Sequence, residues 1–316
     1  MHSVWLLGCE SLAIRWLMSP VRRVALAGFR DSVESSDREL YPDPDSDLLV
    51  ECLAAVGVIS ERVAWDSESV EWSDYSGVVI RSTWDSVDRP SEYLDWIDRI
   101  SSTTRLANPA AAIAWNFDKS YLRDLEAEGI PTIPTQWVSP GSRWSVPDAD
   151  FIVKPAIAAG ARNTALYSPS SSARAVEHVG SLGTIGQTAM IQPYLRSLEV
   201  SGETSIVLIA GQTSHAMLKG AFLRLDEGVI DKPWERATFL GICEPSTRQL
   251  AVAAAAFAVA ARRTHDELLY ARIDVIEDGD EEPIVLEVEL IDPLLFLTDA
   301  PHAADELARS IKRWLA

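Results

Sequence analysis

The sequence has few cysteines and no long apolar run. Its three cysteines, Cys9, Cys52 and Cys243, lie far apart and form no CxxC pair, so the sequence suggests neither a disulfide framework nor a zinc site. We therefore expect a reducing, cytoplasmic location. No segment approaches the roughly 20 apolar residues that a membrane-spanning helix needs, so we expect no membrane partner.

Basic residues are also scarce. The chain of 316 residues has 28 lysines and arginines against 47 aspartates and glutamates, which gives a formal net charge of −19. Nucleic-acid backbones are bound by clusters of lysine and arginine, so this balance weighs against nucleic acid as a partner. Hydrophobic residues make up 47% and charged residues 24%, which is typical of a globular protein with a core large enough for two or three subdomains.

The N-terminal segment MHSVWLLGCESLAIRWLM superficially resembles a signal sequence. Glu10 and Arg15 interrupt its apolar run and its first residues contain no lysine or arginine, so we expect no export. Met18 begins MSPVRRVALAG, a more usual start for a first strand. Residues 1–17 are therefore interpreted as an N-terminal extension, either an upstream start or an added amphipathic helix.

Strand and helix patterns alternate over the first hundred residues. RRVALAG, ISERVAW and SGVVIRSTWD have strand character, while DLLVECLAAVG and PSEYLDWIDRI have the spacing of helices. This alternation predicts a small α/β unit with a parallel sheet. Beyond it, Asn108-Pro109 marks a turn, and a helix is predicted from Asp118 to Glu128, ended by the glycine and proline of GIP.

The second half mixes strands and helices in a different order. Strands are predicted at both ends of FIVKPAIAAGARNTALY, in TAMIQPYL, and as a pair in TSIVLIAGQTSHAMLKGAFLR, which is followed by a polar loop. Helices are predicted at Ser170–Leu182, Ser246–Arg263 and Ala303–Leu315. This order predicts an α+β unit with a mostly antiparallel sheet.

An acidic hairpin lies between the last two of these helices. Strands are predicted at Tyr270–Ile276 and Ile284–Leu290, joined by a turn around Asp278-Gly279-Asp280. Because side chains alternate along a strand, one face is apolar. The other face carries one arginine and three carboxylates: Arg272, Asp274, Glu287 and Glu289. Mg²⁺ prefers oxygen ligands, so this face is either a magnesium site or a solvated strand face.

A second candidate site follows the strand FIVKP. Lys154 ends this strand before a small-residue loop, an arrangement that could surround a polyphosphate with one ammonium group and several backbone N–H groups. The segment contains no GxxxxGK[ST] motif, and the alternative is an edge-strand lysine before an ordinary loop. Lys119 could supply a second phosphate or nucleotide contact, or could simply be solvated.

A third candidate site includes MIQPYL and the two strands that follow it. The backbone from Gln192 to Leu195 could bind an adenine edge, and Glu203 could bind ribose hydroxyls, or the segment is only a connector. Lys219 and Arg224 alternate with apolar residues on the predicted second strand. They would point either into the same cleft or into solvent.

Taken together and in this order, these motifs resemble the ATP-grasp superfamily of ATP-dependent ligases. The resemblance rests on VKP with its loop, QPYL with GET, the lysine of SHAMLKGA, and R-x-D followed by E-x-E. RSTWD, NPAAAIAWNFDKSYLRDL, GIPTIPTQWV, LLYARID and LEVELIDPLLFL are similar to the branch that includes the cycloserine-forming cyclo-ligase (O-ureido-serine cyclo-ligase). The resemblance extends from Val21 to the C-terminus.

The resemblance implies roles for individual residues. Lys119 and Lys154 would bind the phosphates and adenine side of ATP, and Lys219 the terminal phosphates. The loop that closes over the phosphates would contribute Ala159, Gly160 and Arg162. The adenine pocket would be lined by Gln192, Pro193, Tyr194 and Leu195, and the ribose would be bound by Glu203. Asp274, Glu287 and Glu289 would hold one or two Mg²⁺, and Arg272 would stabilise an acyl phosphate and the tetrahedral intermediate.

Substrate residues are expected at the end of a parallel strand, where α/β sheets usually bind ligands. The family resemblance indicates the same place. The residues expected there are Arg81, Thr83, Trp84 and Asp85. Arg224, from the later strand pair, and Asp292, from the loop after the acidic hairpin, are the other expected substrate residues. The sequence departs from the family in two places. Glu289 replaces a frequent asparagine, and Asp292-Pro293-Leu294 replaces E-P-S, which allows a different substrate.

The fold implied is α/β and α+β, with two α+β subdomains enclosing ATP. We expect a pre-ATP-grasp α/β domain at 18–107, central and small lid subdomains at 108–190, and a large C-terminal subdomain at 191–316. The predicted function is an ATP- and Mg²⁺-dependent carboxylate–amine ligase of specialised metabolism that acts through an acyl phosphate on an amino-acid-like substrate. The alternatives are an intramolecular cyclo-ligase and a non-catalytic nucleotide-binding protein. Small-molecule carboxylate and amine substrates are the expected partners, and a homodimer is left open.

Overall fold

The computed structural model describes residues 22–34, 42–230, 232–265, 267–278 and 280–316, without the side chains of residues 233 and 234. The expected N-terminal extension, residues 1–17, lies outside the described residues. The architecture agrees with the predicted fold class, because a parallel α/β sheet is followed by antiparallel sheets with helices.

The N-terminal sheet contains four parallel strands in the order β2-β1-β3-β4. Its strands are β1 (Arg23–Gly28), β2 (Ile59–Ala64), β3 (Gly77–Ser82) and β4 (Leu106–Ala107). Its helices are α1 (Arg30–Glu34), α2 (Pro44–Ala55) and α3 (Pro90–Ser101). Helix α2 begins before the predicted start, because Asp43 caps it by accepting from the N–H of Ser46 (3.1 Å) and Pro44 is favoured in the first turn.

The middle of the chain forms two short helices and a second sheet. The helices are α4 (Ala110–Asn116) and α5 (Tyr121–Ala127), so the single helix predicted from Asp118 was too long and α4 was missed. The antiparallel sheet has the order β5-β8-β6-β7. Its elements are β5 (Gln136–Val138), β6 (Phe151–Pro155), β7 (Ala165–Tyr167), α6 (Ser172–Thr184) and β8 (Ala189–Pro193).

The C-terminal part contains a five-stranded antiparallel sheet in the order β11-β10-β9-β12-β13. Its strands are β9 (Glu203–Ile209), β10 (Gln212–Gly220), β11 (Thr238–Ile242), β12 (Tyr270–Glu277) and β13 (Pro283–Glu289). The accompanying helices are α7 (Ser197–Val200), α8 (Thr247–Thr264) and α9 (Pro301–Trp314). The segment predicted as a polar loop therefore contains the edge strand β11.

Two asparagines of the middle region fix the β12–β13 hairpin. Asn108 accepts from the N–H of Leu269 (2.7 Å) and donates to the carbonyl of Leu290 (2.7 Å). Asn116 donates to the carbonyl of Val288 (2.8 Å) and accepts from the N–H of Leu290 (2.8 Å). Buried amides must be paired, so these bonds fix where the hairpin lies relative to α4. The boundary expected between residues 190 and 191 falls inside strand β8. The domain boundaries remain predictions.

Candidate active site

The β12–β13 hairpin brings the predicted carboxylates together. Arg272 lies opposite Glu289 and Asp274 opposite Glu287, so all four side chains share one face of the sheet. The carboxylates of Asp274, Glu287 and Glu289 each offer an oxygen within 4.8 Å of the other two. Like charges this close need compensation from nearby cations. These three residues are called the acidic cluster below.

Arg272 compensates the cluster from within the hairpin. Its Nε and Nη2 donate to the two oxygens of Asp274, each at 2.9 Å, and Nη2 also donates to Glu289 at 2.5 Å. Burial alone would raise the pKa of Asp274, but Arg272 and Lys219 outweigh it and hold that pKa well below its usual range. Ser205 on β9 adds a donor to Asp274 at 2.6 Å. Asp274 is therefore a fixed anion.

Lys219 on β10 supplies a second cation. Its ammonium lies 3.2 Å from Asp274 and forms a short ion pair with Glu203, the first residue of β9. Burial raises the pKa of Glu203 to about 6, against the opposing effect of Lys219. The structure thus brings Glu203 to the acidic cluster through Lys219.

Lys119, between α4 and α5, supplies a third cation. Its ammonium lies 2.9 Å from Glu287 and donates to the carbonyl of Ala158 at 2.7 Å. Burial would raise the pKa of Glu287, but Lys119 and Lys154 outweigh burial and lower it. Glu289 behaves differently, because burial, opposed mainly by Arg272, raises its pKa to about 7.

Lys154 lies at the end of β6, where the sequence predicted it. Burial lowers its pKa, while Glu287 is the carboxylate that acts most strongly to raise it. Within the described residues, no hydrogen bond or ion pair joins the Lys154 ammonium to a protein group. A cation without a direct partner beside an acidic cluster is suited to an anionic ligand.

The loop after Lys154 has a turned backbone. Gly160, Ala161 and Asn163 have positive φ values of 58°, 57° and 52°, a conformation in which successive N–H groups can form an anion-binding concavity. The N–H of Arg162 donates to the carbonyl of Ala159 (3.2 Å), and the Arg162 guanidinium reaches Asp88 of the N-terminal domain at 2.7 Å. The loop therefore extends toward the N-terminal domain.

The segment predicted to line an adenine pocket begins at the end of β8. Gln192 is buried and donates to Thr135 (2.9 Å), while its side-chain carbonyl oxygen has no partner among the described residues. The N–H of Tyr194 donates to the carbonyl of Asp150 (2.9 Å), and half-buried Pro193 precedes it. Leu195 packs against a small apolar cluster that includes Ile276 and Ile284 of the hairpin.

Four of the expected substrate residues lie where β3 meets the connection between β13 and α9. Thr83 donates to Asp292 (3.0 Å), and Arg81 donates to the carbonyl of Pro293 (3.2 Å). The Nε and Nη1 of Arg81 are buried without a partner among the described residues. Burial raises the pKa of Asp292 to about 6. The ring of Trp84 packs 5.7 Å from Phe29.

Asp85 and Arg224 have other surroundings. Asp85 accepts from Trp65 (2.8 Å) and forms a short ion pair with Arg89, so its carboxylate is occupied within the N-terminal domain. Strand β10 ends at Gly220, so the expected alternation of side chains along the strand does not reach Arg224. The side chain of Arg224 is exposed. The sequence interpretation also missed Ser205 and Asn116, since a single serine or asparagine carries no motif.

The chain has relatives in both sequence and structure. Residues 24–108 match the family described as "D-cycloserine synthetase DcsG, N-terminal domain". The chain is 34% identical over 279 residues to the cycloserine biosynthesis protein DcsG of Streptomyces lavendulae, which covers 85% of this chain and 93% of that protein. The crystal structure of D-cycloserine synthetase DcsG gives a TM-score of 0.81 at 31% identity, over 93% of this chain and all of that one.

More distant structures share the fold alone. D-alanine–D-alanine ligase from Bacillus anthracis, complexed with ATP, gives a TM-score of 0.62 at 12% identity over 93% of this chain and 97% of that one. The ATP-grasp ligase PsnB, complexed with its precursor peptide and AMPPNP, gives 0.57 at 16% identity over 94% and 98%.

The fold and its relatives define an ATP-grasp ligase, an enzyme that forms C–N bonds. Within that class, the chain belongs to the D-cycloserine synthetase DcsG family. The predicted superfamily and branch are confirmed. None of the helices within the described residues combines the length and the apolar character that crossing a bilayer requires.

Proposed function

We propose that this chain is an ATP- and Mg²⁺-dependent ligase that activates the carboxylate of a small amino-acid-like substrate as an acyl phosphate and joins it to nitrogen. The observation that carries the proposal is the acidic cluster, three carboxylates within 4.8 Å, lying beside the unpaired ammonium of Lys154. An acidic cluster suits a hard cation, and an unpaired lysine suits phosphate.

Asp274, Glu287 and Glu289 would hold the magnesium ion. Their hard oxygen donors fit this metal, which takes few protein carboxylates and completes its coordination with water and phosphate oxygens. When bound, Mg²⁺ would offset charge on the phosphates and polarise the phosphoryl group that is transferred. Arg272, which already contacts Asp274 and Glu289, would keep two of these carboxylates in one orientation.

The nucleotide would lie between the middle sheet and the C-terminal sheet. Lys154 would contact a phosphate directly, whereas Lys119 and Lys219 would exchange part of their carboxylate contacts for phosphate. The loop after β6 would contact the phosphates through Ala159, Gly160 and Arg162. The segment at the end of β8 would contact adenine through Gln192, Pro193, Tyr194 and Leu195, and the ribose would be bound by Glu203. The unpaired carbonyl oxygen of Gln192 supports an amino-group donor such as adenine N6.

The chemistry would proceed in two displacements. A substrate carboxylate oxygen attacks the terminal phosphorus, the bond from phosphorus to the ADP oxygen breaks, and ADP leaves. The nitrogen then attacks the acyl carbon, loses its proton, and inorganic phosphate leaves. Arg272 would stabilise negative charge on the acyl phosphate and on the tetrahedral intermediate, because a fixed guanidinium in a buried site needs no reorganisation.

The substrate would lie between the N-terminal domain and the β13–α9 connection. Two buried nitrogens of Arg81, Nε and Nη1, have no partner among the described residues, and Asp292 lies beside Thr83, so this region offers a donor and an acceptor to a zwitterionic substrate. Trp84 would contribute apolar surface. Asp85 and Arg224 stay candidates of lower rank, since Asp85 is paired with Arg89 and Arg224 is exposed.

The nucleophile is either internal or a separate amine. Intermolecular ligation is the commoner outcome in the superfamily, and the Asp292-Pro293-Leu294 sequence departs from the cyclising branch. Ring closure is favoured by the 34% identity to the Streptomyces lavendulae cycloserine biosynthesis protein over 93% of its length. We therefore rank intramolecular cyclisation of an O-ureido-serine-like substrate first.

Product analysis tests the proposal. The enzyme is incubated with ATP, Mg²⁺ and O-ureido-serine alone, then with a panel of amino acids with and without added amines. We expect ADP and phosphate only when a suitable carboxylate is present, with many turnovers and a cyclic product from O-ureido-serine alone. Turnover that requires an added amine would support intermolecular ligation instead. Formation of AMP, or phosphate release that ignores every carboxylate, would reject the acyl-phosphate reaction.

A further inference from the structure

The connection between β13 and α9 holds two of the candidate active-site guanidinium groups. Arg81 donates to the carbonyl of Pro293 (3.2 Å), and Arg272 donates to the carbonyl of Leu294 (3.3 Å). These neighbouring carbonyls belong to a segment without regular secondary structure. Something other than a helix or a sheet must therefore fix their position.

Asp45, in the first turn of α2, binds the same segment through its backbone N–H groups. Its carboxylate accepts from Leu297 (2.8 Å), Leu295 (3.1 Å) and Thr298 (3.3 Å). The side chain is buried, with 4% of the residue surface exposed. Burial raises the pKa of Asp45, while the charge of Arg81 and the hydrogen bond from Thr298 oppose that rise. A carboxylate is the side chain that can accept all three bonds at once.

We propose that Asp45 is a positioning residue for the reaction, which fixes the β13–α9 connection so that its carbonyls aim Arg81 and Arg272 at the substrate. This inference rests on the proposed function, in which both guanidinium groups act on the acyl substrate. Nothing in the motifs of the sequence indicates Asp45, because α2 lies far from the connection in the chain. The free Nε and Nη1 of Arg81 are the groups whose direction it controls.

The informative substitution is Asp45→Asn. It keeps the volume of the side chain but presents an NH₂ group to backbone N–H donors, so at least one of the three bonds is lost. Asp47→Asn is the matched control, because it makes the same change on the same helix at a half-exposed residue that pairs with Arg62. If Asp45→Asn does not fold, Asp45→Ser retains one acceptor and is judged by the same outcomes.

Two measurements on each full-length variant decide the proposal. Hydrogen exchange is followed by mass spectrometry on peptides that span residues 292–300, and ADP formation is followed with O-ureido-serine as the probe. For Asp45→Asn we expect exchange at least about tenfold faster. We also expect KM for the probe to rise about tenfold or more, with a matching fall in kcat/KM, while KM for ATP changes less than about twofold. Asp47→Asn should resemble wild type.

A purely structural role predicts a different pattern. Loss of folded enzyme lowers the apparent kcat and leaves both KM values unchanged. Unchanged exchange in 292–300, or a change in apparent kcat alone, would overturn the proposal. Absence of probe-dependent ADP formation in the wild type would reject O-ureido-serine as the substrate instead, and exchange would then decide whether Asp45 fixes the connection.

Discussion

Lys119 and Glu287, which are far apart in the sequence, form an ion pair in which Nζ lies 2.9 Å from Oε1. The pair joins the start of α5 to β13 and places a protein cation against a carboxylate of the acidic cluster. Arg272 and Lys219 compensate Asp274 in the same way. The cluster is therefore held in place by cations of the protein, and phosphate and metal would exchange with existing contacts.

The first prediction concerns Glu287. Glu287→Gln keeps the volume of the side chain and removes a charged oxygen ligand. We expect Mg²⁺-dependent turnover to fall by more than the roughly 10–100-fold that is typical of residues that only orient a ligand. The measurement is ADP formation over a range of Mg²⁺ concentrations, with circular dichroism to verify folding.

Glu282→Gln is the control for Glu287→Gln. It makes the same chemical change in the turn of the same hairpin, at an exposed residue that pairs with Arg248. The control should retain wild-type turnover. A folded Glu287→Gln enzyme with full activity would contradict the assignment of Glu287 as a metal ligand.

The second prediction separates binding from stability at Lys154. Lys154→Met removes the ammonium but keeps most of the apolar side chain. We expect the affinity for ATP, measured by calorimetry, to fall at least tenfold, which corresponds to about 1.4 kcal/mol. Burial lowers the pKa of Lys154, so the unfolded state binds its proton more readily and the charge opposes folding at neutral pH. The Tm of the variant should therefore equal or exceed that of the wild type.

Lys312→Met provides the comparison for Lys154→Met. Lys312 lies on α9, is exposed and donates to the carbonyl of Val56. Its substitution should leave ATP affinity unchanged. Equal ATP affinity in Lys154→Met and wild type would show that Lys154 does not contact the nucleotide.

Local periodicity accounts for the parts of the site that the sequence predicts. Arg272 and Asp274 share a face because side chains alternate along β12. A register shift between Asp274 and Val275, which the sequence does not reveal, then brings Glu287 and Glu289 opposite them. Both strands of the hairpin begin and end within one residue of the predicted limits. Lys154 is found at the end of its strand for the same reason.

Contacts between distant segments could not be predicted in this way. Strand β11 was missed because it is a short edge strand with exposed Phe239 and Leu240, so it shows no alternation of apolar and polar residues. Helix α4 was hidden by the turn signal of Asn108-Pro109. The bonds from Asp45 to the β13–α9 connection depend on tertiary packing, for which a single sequence gives no pattern.

The third prediction is a pH dependence at Asp292. Burial is the main cause that raises its pKa to about 6, with Asp85 adding to the rise and Thr83 and Arg81 opposing it. Asp292 therefore binds its proton more tightly in the folded state than in the unfolded state. The wild-type protein loses stability as the pH rises from 3.8, the ordinary pKa of an aspartate, through about 6. Asp292→Asn cannot ionise. We expect its free energy of unfolding, relative to wild type, to rise by about 2 kcal/mol between about pH 4.5 and 7.

Urea unfolding of both proteins at the two pH values measures this difference. The sign is the decisive feature, since a carboxylate stabilised as an anion would give the opposite slope. A relative stability that is constant or falls with rising pH would contradict the raised pKa. The substitution should also reduce carboxylate-dependent ADP formation if Asp292 contacts the substrate.

The last prediction concerns Asp226, which ties the connection between β10 and β11 to the middle sheet. Its carboxylate accepts from the N–H (2.9 Å) and hydroxyl (2.7 Å) of Ser168 and from the hydroxyl of Ser171, and its N–H donates to Leu166 (2.9 Å). Hydrogen bonds from Ser171 and Ser168 lower the pKa of Asp226. Asp226→Asn keeps the backbone bond but loses an anionic acceptor, so the connection should detach more often.

Trypsin measures this detachment, because the connection contains Arg224, Lys232 and Arg236. Cleavage follows the population of the open form when opening is fast, so we expect roughly tenfold faster cleavage in Asp226→Asn. Glu227→Gln, which loses an exposed ion pair with Arg236, is the neighbouring control and should change the rate far less. Equal cleavage rates in the two variants would mean that the serine contacts do not hold the connection. If the connection between β10 and β11 also covers bound nucleotide, ATP should slow cleavage in the wild type more than in Asp226→Asn. Closure of the connection over the nucleotide needs the contacts of Asp226 with Ser168 and Ser171.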